Sequence, residues 1–137
     1  MRIRTASVAD LPAVLGLWSQ ERSGHASVAD RREAVELLLE RDPDALLVAE
    51  VEDEIVAALI AAWDGWRGNM YRLAVRPDRR RRGIGRALVR AGEESLRRRG
   101  AVRVTALVAF EDEVAGGFWD AAGYPPDQAI GRRVRNL

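Results

Sequence analysis

The chain has no cysteine and no lysine, and its one histidine is His25. Without cysteine, disulfides, thiolate metal sites and a cysteine nucleophile are excluded. A single histidine excludes a histidine-rich metal site, so we expect no bound metal. No segment approaches the roughly 20 uncharged apolar residues that a membrane-spanning helix needs. The first four residues do not resemble a signal peptide. We therefore expect a cytoplasmic protein with no membrane partner.

The length and the charge balance also limit the possible functions. A chain of 137 residues that is 47% apolar and 31% charged predicts one globular domain over residues 1–137. The formal net charge is only +1, although arginines cluster at positions 79–82, 97–99 and 132–135. No aromatic residues alternate with the arginines of the first cluster. This pattern disfavours a nucleic-acid partner.

The apolar spacing predicts a strand and two helices in the first third of the chain. Residues 2–6 are predicted as a strand, and Ser7-x-x-Asp10 is typical of a helix start. The first helix should bury Leu11, Val14, Leu15 and Trp18, and a loop should span residues 21–28. The second helix should run from about Asp30 to Arg41 with Ala34, Val35 and Leu38 inward.

The remaining two thirds predict mainly strands, with helices between them. Three antiparallel strands are expected at residues 45–51, 55–63 and 70–75, and then a helix from about Gly83 to Arg99, capped by Gly100. Residues 102–110 should form a strand that is buried on both faces and parallel to residues 70–75 through a right-handed crossover. A helix over residues 113–122, ended by Gly123, and a closing β-hairpin in the tail complete the prediction.

The most informative segment joins the strand at residues 70–75 to the helix that follows. Its loop reads Arg-x-x-Gly-x-Gly from Arg80 to Gly85 and lies within a run of four arginines. Free N–H groups at a helix N-terminus attract anions, and glycine lets the backbone approach them closely. The segment therefore predicts a phosphate or pyrophosphate site. It fits neither the P-loop nor the dinucleotide-binding fingerprint.

This motif and the order of elements resemble the GNAT superfamily of N-acetyltransferases, over essentially the whole chain. The late segment from Phe118 to Tyr124 resembles the aromatic motif of that family. A further likeness, the Asp-Gly-x-Arg-Gly turn at residues 64–68, points to a small bacterial subgroup with no assigned acceptor. The resemblance implies an α/β (α+β) GNAT fold. This fold has a central mixed, mostly antiparallel sheet of six to seven strands, about four helices and a splayed parallel pair of central strands.

The resemblance also implies acetyl-CoA as co-substrate. The backbone of Leu73, Ala74 and Val75 should bind the pantetheine arm and the acetyl carbonyl between the splayed strands. The pyrophosphate should lie on the N–H groups of the loop, with charge added by Arg80 or Arg82. Two later positions, Asp112 and Trp119, also match places where family members contact the cofactor. The loop residues concerned are Arg80, Arg81, Arg82, Gly83, Ile84, Gly85 and Arg86.

The proton-transfer residues of the family are missing here. Trp119 stands where many members carry a tyrosine acid, and an indole N–H is not a usable acid. Asn69 and Leu107 stand where members carry a glutamate base. A water relay is therefore expected, with Tyr71 and Glu50 as the candidate catalytic residues. His25 and Asp64 are the other titratable groups near the expected cleft.

The implied reaction is direct attack of a primary amine on the thioester within a ternary complex. The amine, on a small molecule or a peptide, is not identified by the sequence, and a homodimer is left open. The empty acid and base positions leave one alternative, an acyl-CoA-binding sensor or partner module on the same fold with little turnover.

Overall fold

A computed structural model of the protein describes residues 1–21 and 29–137. These residues form two compact units, residues 1–107 and residues 108–137, which are described separately. The first unit contains five strands and three helices, and the second contains one helix. The strands are Arg2–Thr5 (β1), Leu46–Val51 (β2), Glu54–Trp63 (β3), Gly68–Val75 (β4) and Val104–Ala106 (β5); the helices are Leu11–Glu21 (α1), Arg32–Arg41 (α2), Ile84–Arg99 (α3) and Glu113–Ala121 (α4).

The five strands form one sheet in chain order from β1 to β5. The pairs from β1 to β4 are antiparallel, whereas β4 and β5 are parallel. Helix α3 lies between these two strands in the chain, as a parallel connection requires. The predicted mixed, mostly antiparallel sheet with one parallel pair is thus confirmed.

The two turns of the antiparallel meander have different local causes. Glu52 and Asp53, between β2 and β3, both adopt positive φ angles of 52° and 63°. Two such residues in succession match the twist of a tight hairpin. Between β3 and β4, an oxygen of the Asp64 carboxylate accepts the N–H groups of Trp66 and Arg67 at 2.8 Å and 2.7 Å. Both turns keep consecutive strands adjacent.

Helices α1 and α2 supply one part of the core. Leu11, Val14 and Trp18 of α1 are buried as predicted, but the fourth buried position is Leu17, and Leu15 is only partly buried. The predicted helix start is confirmed: a 3-10 turn, Val8–Asp10, leads directly into α1, and the Asp10 carboxylate accepts the Ser7 N–H at 2.8 Å. The predicted loop over residues 21–28 lies outside the described residues, except for Glu21, which ends α1.

Helix α2 begins two residues later than expected, and its buried face is shifted. Val35 and Leu39 are buried, Leu38 is partly buried and Ala34 is exposed, so the expected inward position of Ala34 was wrong. The pair at i and i+4 lies on one helical stripe, and both residues belong to the core cluster that contains Leu46 and Val48 of β2.

Helix α3 packs closely on the other part of the sheet. Both of its ends are glycines in the left-handed region, Gly83 with φ 79° and Gly100 with φ 112°. Gly92 faces β3 and β4 so closely that a Cβ there would lie 2.8 Å from Cε of Met70. The glycine therefore sets the distance between helix and sheet.

The expectation of a long strand at residues 102–110 was wrong. Only Val104–Ala106 forms a strand, Val102 and Phe110 are almost fully exposed, and Leu107 is half exposed. The described tail shows no strand, so the closing hairpin is absent and the sheet has five strands rather than six or seven. An apolar run becomes buried only where other elements cover it, and the run itself does not specify these elements.

The second unit is built around α4. The carboxylate of Asp112 caps this helix by accepting the Ala115 N–H at 2.9 Å. The helix ends before Gly123, which has a φ of 95°, so the predicted end is confirmed.

None of the described helices of the protein is long and apolar enough to cross a membrane.

Candidate functional site

Strands β4 and β5 are paired over only a short length. The parallel register joins Gly68 to Val104, Asn69 to Thr105 and Met70 to Ala106, and it ends there. Strand β4 continues to Val75, and within the described sheet this later part is paired only with β3. The backbone groups predicted to bind the pantetheine arm, those of Leu73, Ala74 and Val75, therefore lie where the parallel strands have ceased to pair.

A β-bulge in β4 begins just beyond the last parallel pair. Tyr71 is opposite Ile60 and Ala74 is opposite Ala58, so two residues, Arg72 and Leu73, oppose the single Leu59 of β3. Arg72 has a φ of 57°, in the left-handed region that only a few per cent of residues other than glycine adopt. This bulge has no recognisable signal in the sequence, because no glycine or proline marks it.

The bulge changes which layer of helices the strand faces. Met70 lies against α3, where its Cε approaches Gly92, whereas Ala74 belongs to the core cluster that contains Val14 and Trp18 of α1. Residues four apart in a regular strand share one face. The extra residue reverses that alternation and leaves backbone groups of the bulge without ladder partners on β3.

The loop after β4 has backbone features that suit the binding of an anion. Arg81 and Gly83 have φ angles of 62° and 79°, and α3 begins at Ile84. The N–H groups of the first helical turn have no acceptor within the helix, and they carry the positive end of its dipole. Apart from its two chain neighbours, no described residue would come within 4 Å of a Cβ built on Gly83, so the space beside this backbone is open. These features fit the predicted binding of a pyrophosphate.

The arginines of this loop divide into two groups. Arg79 pairs with Glu52 at 3.3 Å, and Nε of Arg80 donates to the Val75 carbonyl oxygen at 3.1 Å, which ties the loop to the end of β4. Arg81 and Arg82 are exposed, and neither forms an ion pair with any residue that the structure describes. The second group leaves positive charge beside the open glycine.

Arg76 reinforces the end of β4 from outside the loop. Its guanidinium donates to Asp78 at 2.6 Å and to Glu54 at 2.9 Å. The bond to Asp78, and after it the bond to Glu54, raises the pKa of Arg76 above its usual value. The same bond to Arg76 lowers the pKa of Asp78. Arg76 thus links the end of β4 to β3 and to the following turn by exposed ion pairs.

The structure does not bring the two candidate catalytic residues together. Tyr71 is half-buried on β4, directly before the bulge, at the level of Ile60 of β3. Glu50 lies on β2 at the level of Ile55. These levels are five positions apart on β3, which corresponds to roughly 16 Å along the sheet at about 3.3 Å per residue. The two side chains cannot serve the same proton.

Glu50 takes part instead in a charge cluster at the start of the chain. One of its carboxylate oxygens lies 3.5 Å from Arg4, whose guanidinium makes a closer pair with Asp10 at 2.7 Å. The hydrogen bond from Arg4 holds the pKa of Asp10 at about 2, below its usual 3.8. The cluster joins β1, β2 and the 3-10 turn that leads into α1.

The other candidate positions are also placed apart. Asn69 is paired with Thr105 within the parallel register, and Leu107 follows β5. Asp64 lies in the turn before β4, at the far end of this strand from Val75. Hydrogen bonds from the N–H groups of Arg67 and Trp66 lower the pKa of its carboxyl group. His25 lies outside the described residues. In the ranges that the structure describes, no group of three acidic, histidine or cysteine residues could hold a metal ion.

Two predicted cofactor contacts, Asp112 and Trp119, lie in the second unit. Asp112 is the helix cap described above, and Trp119 is only 7% exposed. The indole ring packs edge-on against Phe118 and Tyr124, with ring centroids 5.3 Å and 5.1 Å apart. Within its own unit Trp119 is a packing residue, and contact of either residue with CoA stays a prediction.

Comparisons with known proteins agree with this geometry. The model of the acetyltransferase (GNAT) family matches residues 11–124. An acetyltransferase of Pectobacterium atrosepticum is 37% identical over 137 residues, which cover 98% of this chain and 96% of the relative. A solved putative acetyltransferase of Agrobacterium tumefaciens has a TM-score of 0.76 at 22% identity, covering 99% of this chain and 100% of its own.

A second solved structure is informative because it was determined with a ligand. This Mycobacterium tuberculosis protein, in complex with CoA, has a TM-score of 0.70 at 24% identity, and the match covers 90% of this chain and 70% of its own. The family model, the curated relative and the fold all lead to one conclusion. The chain belongs to the GNAT family of acetyltransferases, which take their acetyl group from acetyl-CoA.

Proposed function

We propose that the protein transfers the acetyl group of acetyl-CoA to a primary amine by direct attack in a ternary complex, and that residues 1–137 act as one acetyltransferase domain. The observation that carries this proposal is the continuity between the part of β4 that is not paired with β5 and the loop that follows it. Nε of Arg80 joins the two at the Val75 carbonyl oxygen. One extended ligand can thus place its pyrophosphate on the loop and its thioester beside the bulge.

Each part of this surface has a distinct task. The N–H groups from Arg81 to Arg86 hold the pyrophosphate, with added charge from Arg81 and Arg82. The backbone of Leu73, Ala74 and Val75 binds the pantetheine arm and the acetyl carbonyl. A backbone N–H directed at that carbonyl oxygen stabilises the negative charge that develops on it. Fixing both ends of the donor also orients its carbonyl carbon toward the amine.

The chemistry requires one C–N bond to form and one C–S bond to break. The amine nitrogen attacks the thioester carbonyl carbon, a tetrahedral oxyanion forms, and its collapse expels the CoA thiolate. The amine loses a proton and the thiolate gains one. Tyr71 is the candidate for a proton relay through water, since it lies directly before the bulge. Glu50 is the weaker candidate because it lies farther along the sheet and is paired with Arg4.

The dependence on acetyl-CoA, a cytoplasmic metabolite, supports a cytoplasmic location as part of the same proposal. The alternative of a binding module without turnover is not favoured. The relative from Pectobacterium atrosepticum is named an acetyltransferase, and it aligns with almost the whole length of this chain.

A thiol-release assay tests the proposal. The protein is incubated with acetyl-CoA and a panel of amines that includes peptides with free N-termini, polyamines, amino acids and aminoglycosides. We expect CoA release above the background hydrolysis with at least one class of amine, and an acetylated product of matching mass. Tight CoA binding without release for every amine would replace the proposal with the binding module.

A further inference from the structure

Trp18 makes a contact that its role in the core does not require. Its side chain is only 2% exposed on α1, yet its indole Nε1 donates a hydrogen bond of 2.8 Å to the backbone carbonyl oxygen of Arg72. Arg72 is the left-handed residue of the bulge in β4. Helix α1 is therefore tied directly to the backbone at the point where β4 and β5 cease to pair.

The conformation of Arg72 needs such support. A residue other than glycine at positive φ is strained and persists only when its surroundings hold it. Here the carbonyl is held by Trp18, the guanidinium carbon lies 5.5 Å from the centre of the Trp18 ring, and the side chain forms an ion pair with Asp30. The backbone and the side chain of Arg72 are thus each held by contacts of their own.

The direction of the Arg72 carbonyl determines that of the next N–H. A peptide unit is planar and trans, so the Leu73 N–H points opposite to the Arg72 C=O. We propose that Trp18 is a positioning residue for acetyl transfer: by holding the Arg72 carbonyl, its indole N–H aims the Leu73 N–H at the thioester carbonyl oxygen. The inference rests on the proposed function, which places the thioester at residues 73–75.

The proposal separates Trp18 from its neighbours in the core. Leu17 lies on the same helix and in the same buried cluster, at 5% exposure, but no hydrogen bond links its side chain to the bulge. If Trp18 acted only by packing, losing part of either side chain would affect acetyl transfer equally. If the indole N–H positions the bulge, only Trp18 should affect the thioester.

The test uses acetyl-CoA labelled with ¹³C at the thioester carbonyl, and it needs no acceptor. Isotope-edited infrared spectroscopy measures the C=O stretch of the bound ligand, which falls when the oxygen accepts a hydrogen bond. We expect a lowered stretch in the wild type and a return toward the unbonded value in Trp18→Phe, with the Kd for CoA nearly unchanged. With an active amine, kcat should fall roughly tenfold, less than the loss of an oxyanion donor itself.

Two matched variants and one analogue make the result decisive. Leu17→Ala should lower stability without changing the stretch. Arg72→Ala, which keeps the backbone carbonyl, should change the stretch less than Trp18→Phe does. If Trp18→Phe fails to fold, benzothienylalanine at position 18 replaces the N–H by sulfur at nearly the same shape.

An unchanged stretch and kcat in Trp18→Phe, or in the analogue, would overturn the role of Trp18 while leaving the proposed function intact. An equal change in Leu17→Ala would do the same. A wild type that binds no acetyl-CoA would overturn the proposed function itself, and this inference with it.

Discussion

Replacing Gly83 by alanine separates the binding of CoA from the stability of the fold. Gly83 has a φ of 79°, and a Cβ there would come within 4 Å of no described residue other than its chain neighbours. The substitution therefore costs backbone strain but creates no clash within the protein. We expect the free energy of unfolding to fall by about 1 kcal/mol, equivalent to a Tm roughly 4 °C lower. The added methyl group would occupy the space beside the predicted pyrophosphate.

Gly65 provides a matched control in the turn between β3 and β4. It has a φ of 93°, and its Cβ would also meet nothing within 4 Å, so Gly65→Ala should carry a similar strain. Isothermal titration with CoA should show a Kd at least about tenfold higher for Gly83→Ala, a loss of about 1.4 kcal/mol, and a nearly unchanged Kd for Gly65→Ala. Wild-type affinity in Gly83→Ala would refute the assignment of the loop. An equal loss in both variants would show a general effect of strain.

Three further predictions follow from the same geometry. Trp119→Phe should keep kcat within about threefold, because an indole N–H is not an acid; loss of kcat with intact CoA affinity would contradict it. Tyr71→Phe should lower kcat/KM and Glu50→Gln should not, since only Tyr71 lies beside the bulge. Profiles of kcat/KM against pH with two amines of different pKa test the relay itself, because an inflection that moves with the pKa of the amine would exclude an enzymic relay. The pKa of Asp10 is depressed to about 2 in the folded protein, so its contribution is present above pH 3.8 and lost as the pH falls through about 2. Urea unfolding should therefore show a steeper loss of stability between pH 4 and 2 in the wild type than in Asp10→Asn, and parallel slopes would contradict the pairing with Arg4.

The start of the first helix and the glycine ends of α3 could be predicted because their signals are local. Ser7 and Asp10 satisfy each other across one turn, and the glycines at positions 83 and 100 provide the left-handed conformations at the two ends of α3. Each of these features depends on residues within a few positions of one another. A backbone conformation that a neighbouring side chain or a glycine determines can be read directly from the sequence.

The long strand and the hairpin could not be predicted because burial depends on distant elements. Val102 and Phe110 fit an apolar strand pattern, yet both are almost fully exposed. An apolar pattern indicates which residues suit a sheet, but it does not indicate how far the neighbouring strand extends beside them. The three-residue pairing of β5 follows from where β4 departs from it.

The sequence by itself determined the family, the order of most elements and the loop that should bind the pyrophosphate, because each rests on contiguous motifs. Only the tertiary structure decided the bulge at Arg72 and Leu73. Met70 must face α3 while Ala74 must face α1. Residues four apart in a regular strand share one face, so these opposite demands are met only because the bulge adds one residue between them. That demand comes from two helices far apart in the chain, and the indole of Trp18 secures the resulting conformation.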